Sequence, residues 1–276
     1  MPVSSHNQKI ALLFSAHFYI LNKLIIKKKC CILSAMQTNI EITRAFMETP
    51  DGVLSIHQIS RKLKLPYGTA YNRVHLLHES GIVQILPQGK AKLCALNPEN
   101  PMTASLLALG AAQTTDLFIK KNLEAGLLLK KIRKAVLENA RDSLYAAIIL
   151  APDMLSVATA TGSDAAPPST AQDVSLPGID NPPAGAASLD FFYIQASNSF
   201  DESRVETAIT SLLHPGSDIR VTSMTVDRDT LLGMFTENEN EAGLAAYQML
   251  HEGMLLFGFE NFYTLILEAF ARKLSA

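Results

Sequence analysis

Residues Ser55 to Asn97 read SIHQISRKLKLPYGTAYNRVHLLHESGIVQILPQGKAKLCALN, and this stretch decides the fold. Ile56, Ile59 and Leu63 recur at spacings of three and four, which gathers them on one helical face. Ser55 stands just before that face and suits an N-cap. Lys64-Leu65-Pro66 ends the helix, because proline disfavours helical geometry in the residue before it. Proline also suits the first turn of a new helix, here expected from Pro66 to Ser80. Ala70, Val74, Leu77 and the adjoining Leu76 are its apolar positions, and Gly81 falls where a helix end wants a left-handed residue. Two apolar runs follow, IVQILPQ and KAKLCAL, either side of Gly89, as in a two-stranded ribbon with a tight turn.

Two short helices, a turn and a basic hairpin make the order of a winged helix-turn-helix, a shape that lays one helix in a DNA major groove. The face of the second helix not used for packing carries Tyr67, Gly68, Thr69, Tyr71, Asn72 and Arg73. Arginine and asparagine can make paired hydrogen bonds to guanine and adenine edges, and threonine or tyrosine can reach phosphates or a thymine methyl. Lys90 and Lys92 share one face of the second strand, where lysines can track the sugar-phosphate backbone. The expected DNA-binding set is therefore Tyr67, Thr69, Tyr71, Asn72, Arg73, Lys90 and Lys92. The competing reading is a helical hairpin and ribbon packed for structure or for protein contact. Met36 to Asn100 holds seven Lys/Arg against five Asp/Glu, a weakly basic balance that fits one arm of a dimer or a module of modest affinity.

This stretch resembles the winged helix-turn-helix regulators of archaea and bacteria, of the MarR/ArsR-like kind. The resemblance rests on Ile59, Leu63, Leu65, Pro66, Thr69, Ala70, Val74, Leu77, Gly81, Ile82 and Val83, and on the closing Leu96-Asn97-Pro98. Most of these positions specify a scaffold, so the resemblance implies DNA binding and no particular operator.

The whole chain has 276 residues, enough for two domains. Its net charge of −2 and 18% charged residues exclude a protein that coats polyanions along its length. Three cysteines, Cys30, Cys31 and Cys94, offer neither a disulfide framework nor a zinc spacing, which fits a reducing cytoplasm. Lys9 to Leu33 holds five lysines and no acidic residue. Its apolar run is too short to span a bilayer, and no cleavage site follows it. Residues 1–35 are read either as an amphipathic basic segment or as upstream sequence ahead of a true start at Met36, the second being favoured.

Domain boundaries are expected at 36–100 for the winged domain, 101–142 for a helical linker, and 143–276 for a C-terminal α/β domain. In the linker, leucines recur at helical spacing, and Gly110 and Gly126 are expected to mark breaks. Such helices either dimerise a regulator or pack between its domains. In the C-terminal part, strands are expected at 144–150, 188–197, 217–226 and 254–258, alternating with helices. Thr159 to Ala187 holds five prolines, three glycines and no Lys or Arg, a composition that builds no core and is expected to form a loop.

HEGMLLFGFENFYTLI (251–266) and the strand–gap–strand before it resemble the minimal nucleotidyltransferase domains of archaea and bacteria. That family uses two carboxylates two apart on a strand, projecting from one face to hold divalent metal against a nucleotide triphosphate. Here Asp190 matches the second and Ser188 stands in place of the first. The Gly-Ser turn is missing after strand 144–150, Gly162-Ser163-Asp164 lies in the Pro/Ala loop, and Asp218 has an uncertain register. One carboxylate does not hold two metals, so catalysis, metal and cofactor are not expected. The implied function is a cytoplasmic transcriptional regulator that binds double-stranded DNA as a homodimer. Its nucleotidyltransferase-like half would dimerise or sense a small-molecule or protein effector. The alternatives are an active nucleotidyltransferase guided by the winged domain, and an antitoxin-like protein-interaction module.

Overall fold

The computed structural model describes residues 34–49, 52–88, 91–140, 142–159, 187–214, 219–236 and 241–275. Helix α1 (34–47) turns Ile40, Ile42, Ala45 and Phe46 inward. Strand β1 (Val53–Ser55) leads directly into α2 (Ile56–Lys62), and Ser55 both ends the strand and N-caps the helix. Its Oγ accepts from the Gln58 N–H at 3.2 Å while Gln58 Oε1 accepts from the Ser55 N–H at 2.8 Å. This reciprocal box satisfies two donors that a helix start leaves open.

Helix α2 ends with Lys64 at φ 52, the Lys64 N–H on Arg61 O and the Leu65 N–H on Ser60 O. Pro66 then caps α3 (Tyr67–Glu79), which starts and ends one residue inside the expected bounds. The end of α3 repeats the device: Gly81 at φ 75 donates to His78 O, and Ile82 donates to Leu77 O. These are the two bonds of a Schellman motif, and they use carbonyls the helix cannot satisfy itself.

Strands β2 (Val83–Gln88) and β3 (Ala91–Leu96) pair antiparallel, Val83 opposite Leu96 and Gln88 opposite Ala91. β1 adds to the other side of β3, so the first sheet has the order β1-β3-β2. Two asparagines tie this ribbon back to α3. Asn97 Nδ2 donates to Gly81 O, and Asn100 Nδ2 donates to Ser80 O. Asn100 Oδ1 also accepts from Met102 N–H and thereby caps α4 (Pro101–Lys121).

The break between α4 and α5 (Leu123–Ala140) falls at Asn122, not at the two glycines where the sequence suggested it. Gly110 lies inside α4 and Gly126 in the first turn of α5. Both are contact points: a Cβ on Gly110 would come 2.7 Å from Ile40 of α1, and one on Gly126 2.7 Å from Ile119 O. They are spacing residues for close helix approach, which a sequence reader mistakes for breakers.

The second sheet has the order β6-β5-β4-β7, with β4 (Leu144–Leu150), β5 (Ala187–Gln195), β6 (Ile219–Val226) and β7 (Met254–Phe257). β5 and β6 run parallel, joined through α7 (Glu202–Thr210); β4 is antiparallel to both β5 and β7. A short helix not expected from the sequence, α6 (Met154–Thr159), follows β4. The remaining helices are α8 (Arg228–Thr236), α9 (Glu241–His251) and α10 (Phe259–Ser275). Asp218, the Gly162-Ser163-Asp164 tripeptide and the expected loop beyond Thr159 lie outside the described residues, as does Lys90.

Both faces of this sheet are covered, which is why LYAAIIL (144–150) and FFYI (191–194) read as continuous apolar runs without alternation. Phe192 and Ile194 join one core with Leu255, Phe262 and Ile266. Phe191 and Tyr193, one residue out of phase, join a second core with Leu129, Ile132, Val205 and Ile209. The first core does not stop at the sheet. It continues through Leu107 of α4 to Phe46, Ile59, Val74 and Leu77 of the N-terminal helices. The chain is thus an α+β protein with helices and two sheets, and none of its described helices is long and apolar enough to cross a membrane.

Candidate functional site

Helix α3 buries Ala70, Val74 and Leu77 and turns its other side outward. Residues advance about 100° each around a helix. Gly68, Thr69 and Asn72 are exposed, as are Tyr67 at 54% and Leu76 at 51%. Nothing stands within 4 Å of where a Gly68 Cβ would be, so the backbone here is open to close approach. Tyr71 and Arg73 flank this ridge on opposite sides, about 160° apart, and both are half-buried. The positions read from sequence as one face are therefore an exposed ridge with an aromatic flank and a cationic flank.

The aromatic flank is a row. His57 of α2 lies 6.4 Å from Tyr67, Tyr67 lies 6.2 Å from Tyr71, and Tyr71 lies 4.3 Å from His75 between ring centroids. Lys92 of β3 places its Nζ 5.5 Å from the Tyr71 ring centroid, a cation–π distance. The ring thus fixes the lysine beside α3 and leaves it exposed. Sequence reasoning named Tyr67, Tyr71 and Lys92 but missed His57 and His75. The i, i+4 spacing of Tyr67, Tyr71 and His75 was the available signal.

Cations border the ridge at its N-terminal end and along its aromatic flank. Arg61 and Lys64 are exposed at the end of α2 and its turn, and Lys92 lies on the ribbon. Lys62 is spoken for, 3.1 Å from Glu48. Among the described residues Arg61, Lys64, Arg73 and Lys92 enter no ion pair. A ridge with a hydroxyl, an amide and a small backbone opening, edged by free cations, has the chemistry to sit between two phosphate strands. Cys94 behind the ribbon is fully buried, and burial pushes its thiol up to about 11.

Asp190 has a different environment. Ser188 and Asp190 do share a face, as the two-residue spacing requires, and Ser188 Oγ donates to Asp190 Oδ2 at 3.1 Å. Thr222 of the neighbouring strand donates to Oδ1. Both carboxylate oxygens are therefore engaged by hydroxyls. Among the described residues no three His, Cys, Asp or Glu side chains converge as a metal-holding group. No protein-family model, curated protein or solved structure matches this chain significantly.

Proposed function

We propose that this chain is a sequence-specific DNA-binding transcriptional regulator of the winged helix-turn-helix kind. The observation that carries the reading is α3: a helix closed at its C-terminal end by a Schellman motif, with Thr69, Asn72 and Arg73 around an uncovered ridge and Lys92 against the Tyr71 ring beside it. The element order α1-β1-α2-α3-β2-β3 and the sheet order β1-β3-β2 support it, since a winged domain places its ribbon next to the groove-reading helix. The weak positive balance of Met36 to Asn100 supports binding as a dimer, in which two arms share the affinity. In this reading the C-terminal half dimerises or senses an effector in the cytoplasm, and Asp190 is a structural hydrogen-bond acceptor. A nucleotidyltransferase role is not proposed, because Asp190 is already held by Ser188 and Thr222. Contact with another protein is the second reading, favoured by the exposed Leu76 on the same ridge.

The test is recovery of bound fragments from a genomic DNA library by the purified chain. Arg73→Ala is expected to relax preference at one base position by about 1–3 kcal/mol. Lys92→Ala is expected to weaken all fragments alike and to lower the salt slope by about one. If the parent enriches no sequence, or both variants bind as the parent does, the proposal fails at this face.

A further inference from the structure

On the sheet face opposite Asp190, α7 packs over β6. Glu202 and Glu206, one turn apart on that helix, both reach a single hydroxyl, Oγ of Ser223. A serine hydroxyl has one proton to donate. It satisfies one carboxylate; the other then meets a lone pair and a like-charged neighbour, which is repulsive. Among the described residues neither glutamate has a basic partner.

A second observation is independent of that cluster. Tyr193 is 0% exposed, yet its hydroxyl has no hydrogen-bond partner. It lies on the same sheet face, in register with Thr225, whose hydroxyl is likewise unpartnered and which sits two residues from Ser223. Burial first, and then the carboxylates of Glu206 and Glu202, hold the Tyr193 phenol above its ordinary range. Tyr193 stands one strand over from Thr225 on the sheet face that α7 covers, the face that also carries Ser223 and the two carboxylates. An orphaned buried hydroxyl beside two charges lacking a counter-charge calls for something positive that accepts oxygen donors.

We propose that Glu202, Glu206, Ser223 and Tyr193 form a binding site for a hard divalent cation of the calcium or magnesium class. Every donor is oxygen and two carry charge, the ligand chemistry such ions take, with water completing the shell. Loaded, the site cross-links α7 to β6, an edge strand of the second sheet. It lies on the other face of the sheet from Asp190 and is separate from the α3 ridge.

Terbium(III) is the probe, because it takes hard oxygen sites and is sensitised by nearby tyrosine; the chain has no tryptophan to interfere. Full-length protein excited at tyrosine should give terbium emission that excess calcium or magnesium displaces. E202Q and E206Q should each weaken terbium binding by about tenfold or more, since affinity follows ligand charge. Thermal unfolding supplies the second measurement. Calcium or magnesium should stabilise the parent over its value in EDTA. In EDTA, E206Q should be at least as stable as the parent, because it relieves the repulsion. Absent emission, emission unchanged in E202Q and E206Q, or an E206Q variant less stable than the parent in EDTA overturns the site. Parent stability that rises with acid in EDTA and ignores both metals also overturns it, assigning the pair to a shared proton.

Discussion

At the residue scale, the end of α3 concentrates the most demand on one position. Gly81 sits at φ 75, and a Cβ there would come 2.9 Å from Asn100 Nδ2, the atom that caps Ser80 O. Gly81→Ala is therefore expected to cost about 1–2 kcal/mol in urea unfolding, from the left-handed backbone alone. Loss of the Asn100 contact adds to that. Asn100→Ala removes the N-cap of α4 as well, at about 1 kcal/mol. Cys94 reads differently in sequence and in structure. Among three cysteines it looks like any free thiol, but burial and a raised pKa make it unreactive. A thiol reagent should label it at the rate of ribbon opening, and labelling as fast as a free peptide would contradict its burial. Ser55, Pro66 and Gly81 were legible because each acts on its own neighbours. Lys64 in a left-handed turn was not, since lysine has no propensity that announces it.

At the element scale, the junction between α9 and the N-terminal helices is titratable. His251 of α9 lies against Tyr247, ring centroids 3.9 Å apart, and feels Glu48, in the turn just after α1, and Lys62 of α2. Burial lowers its pKa from the usual 6.5, with Lys62 acting in the same direction and Glu48 and Glu252 opposing. A lowered base is neutral in the folded chain while the unfolded chain binds the proton. Its contribution to stability is then whole above 6.5 and is lost as pH falls toward the lowered value. His251→Gln should flatten the stability–pH curve in that window; an unchanged slope would remove His251 as its cause. The helices of residues 101–140 show how composition misleads. Gly110 and Gly126 promise breaks, yet each is the place where a neighbour's atoms come closest. Only a partner element gives a glycine that role, and a partner is not written in its local sequence.

At the scale of the whole molecule, one hydrophobic core joins the N-terminal helices, α4 and one face of the second sheet. Leu107 sits in that core at 0% exposure, so Leu107→Ala should cost about 2–5 kcal/mol. The loss should lower the stability of the ribbon around Cys94 and the sheet around Tyr193 together. Calorimetry should find one transition; two well-separated transitions would show that the core does not couple the halves. The sequence by itself determined the order and type of most elements, the caps of α2 and α3, and the pairing of Ser188 with Asp190 on one face. Those follow from periodicity and from bonds between residues a few positions apart. Tertiary structure alone decided that Tyr71 holds Lys92, that Thr222 occupies Asp190, and that Glu202, Glu206 and Ser223 meet. Each joins residues from different elements, and their meeting depends on strand order and helix packing, which arise only when two hydrophobic cores close around one sheet.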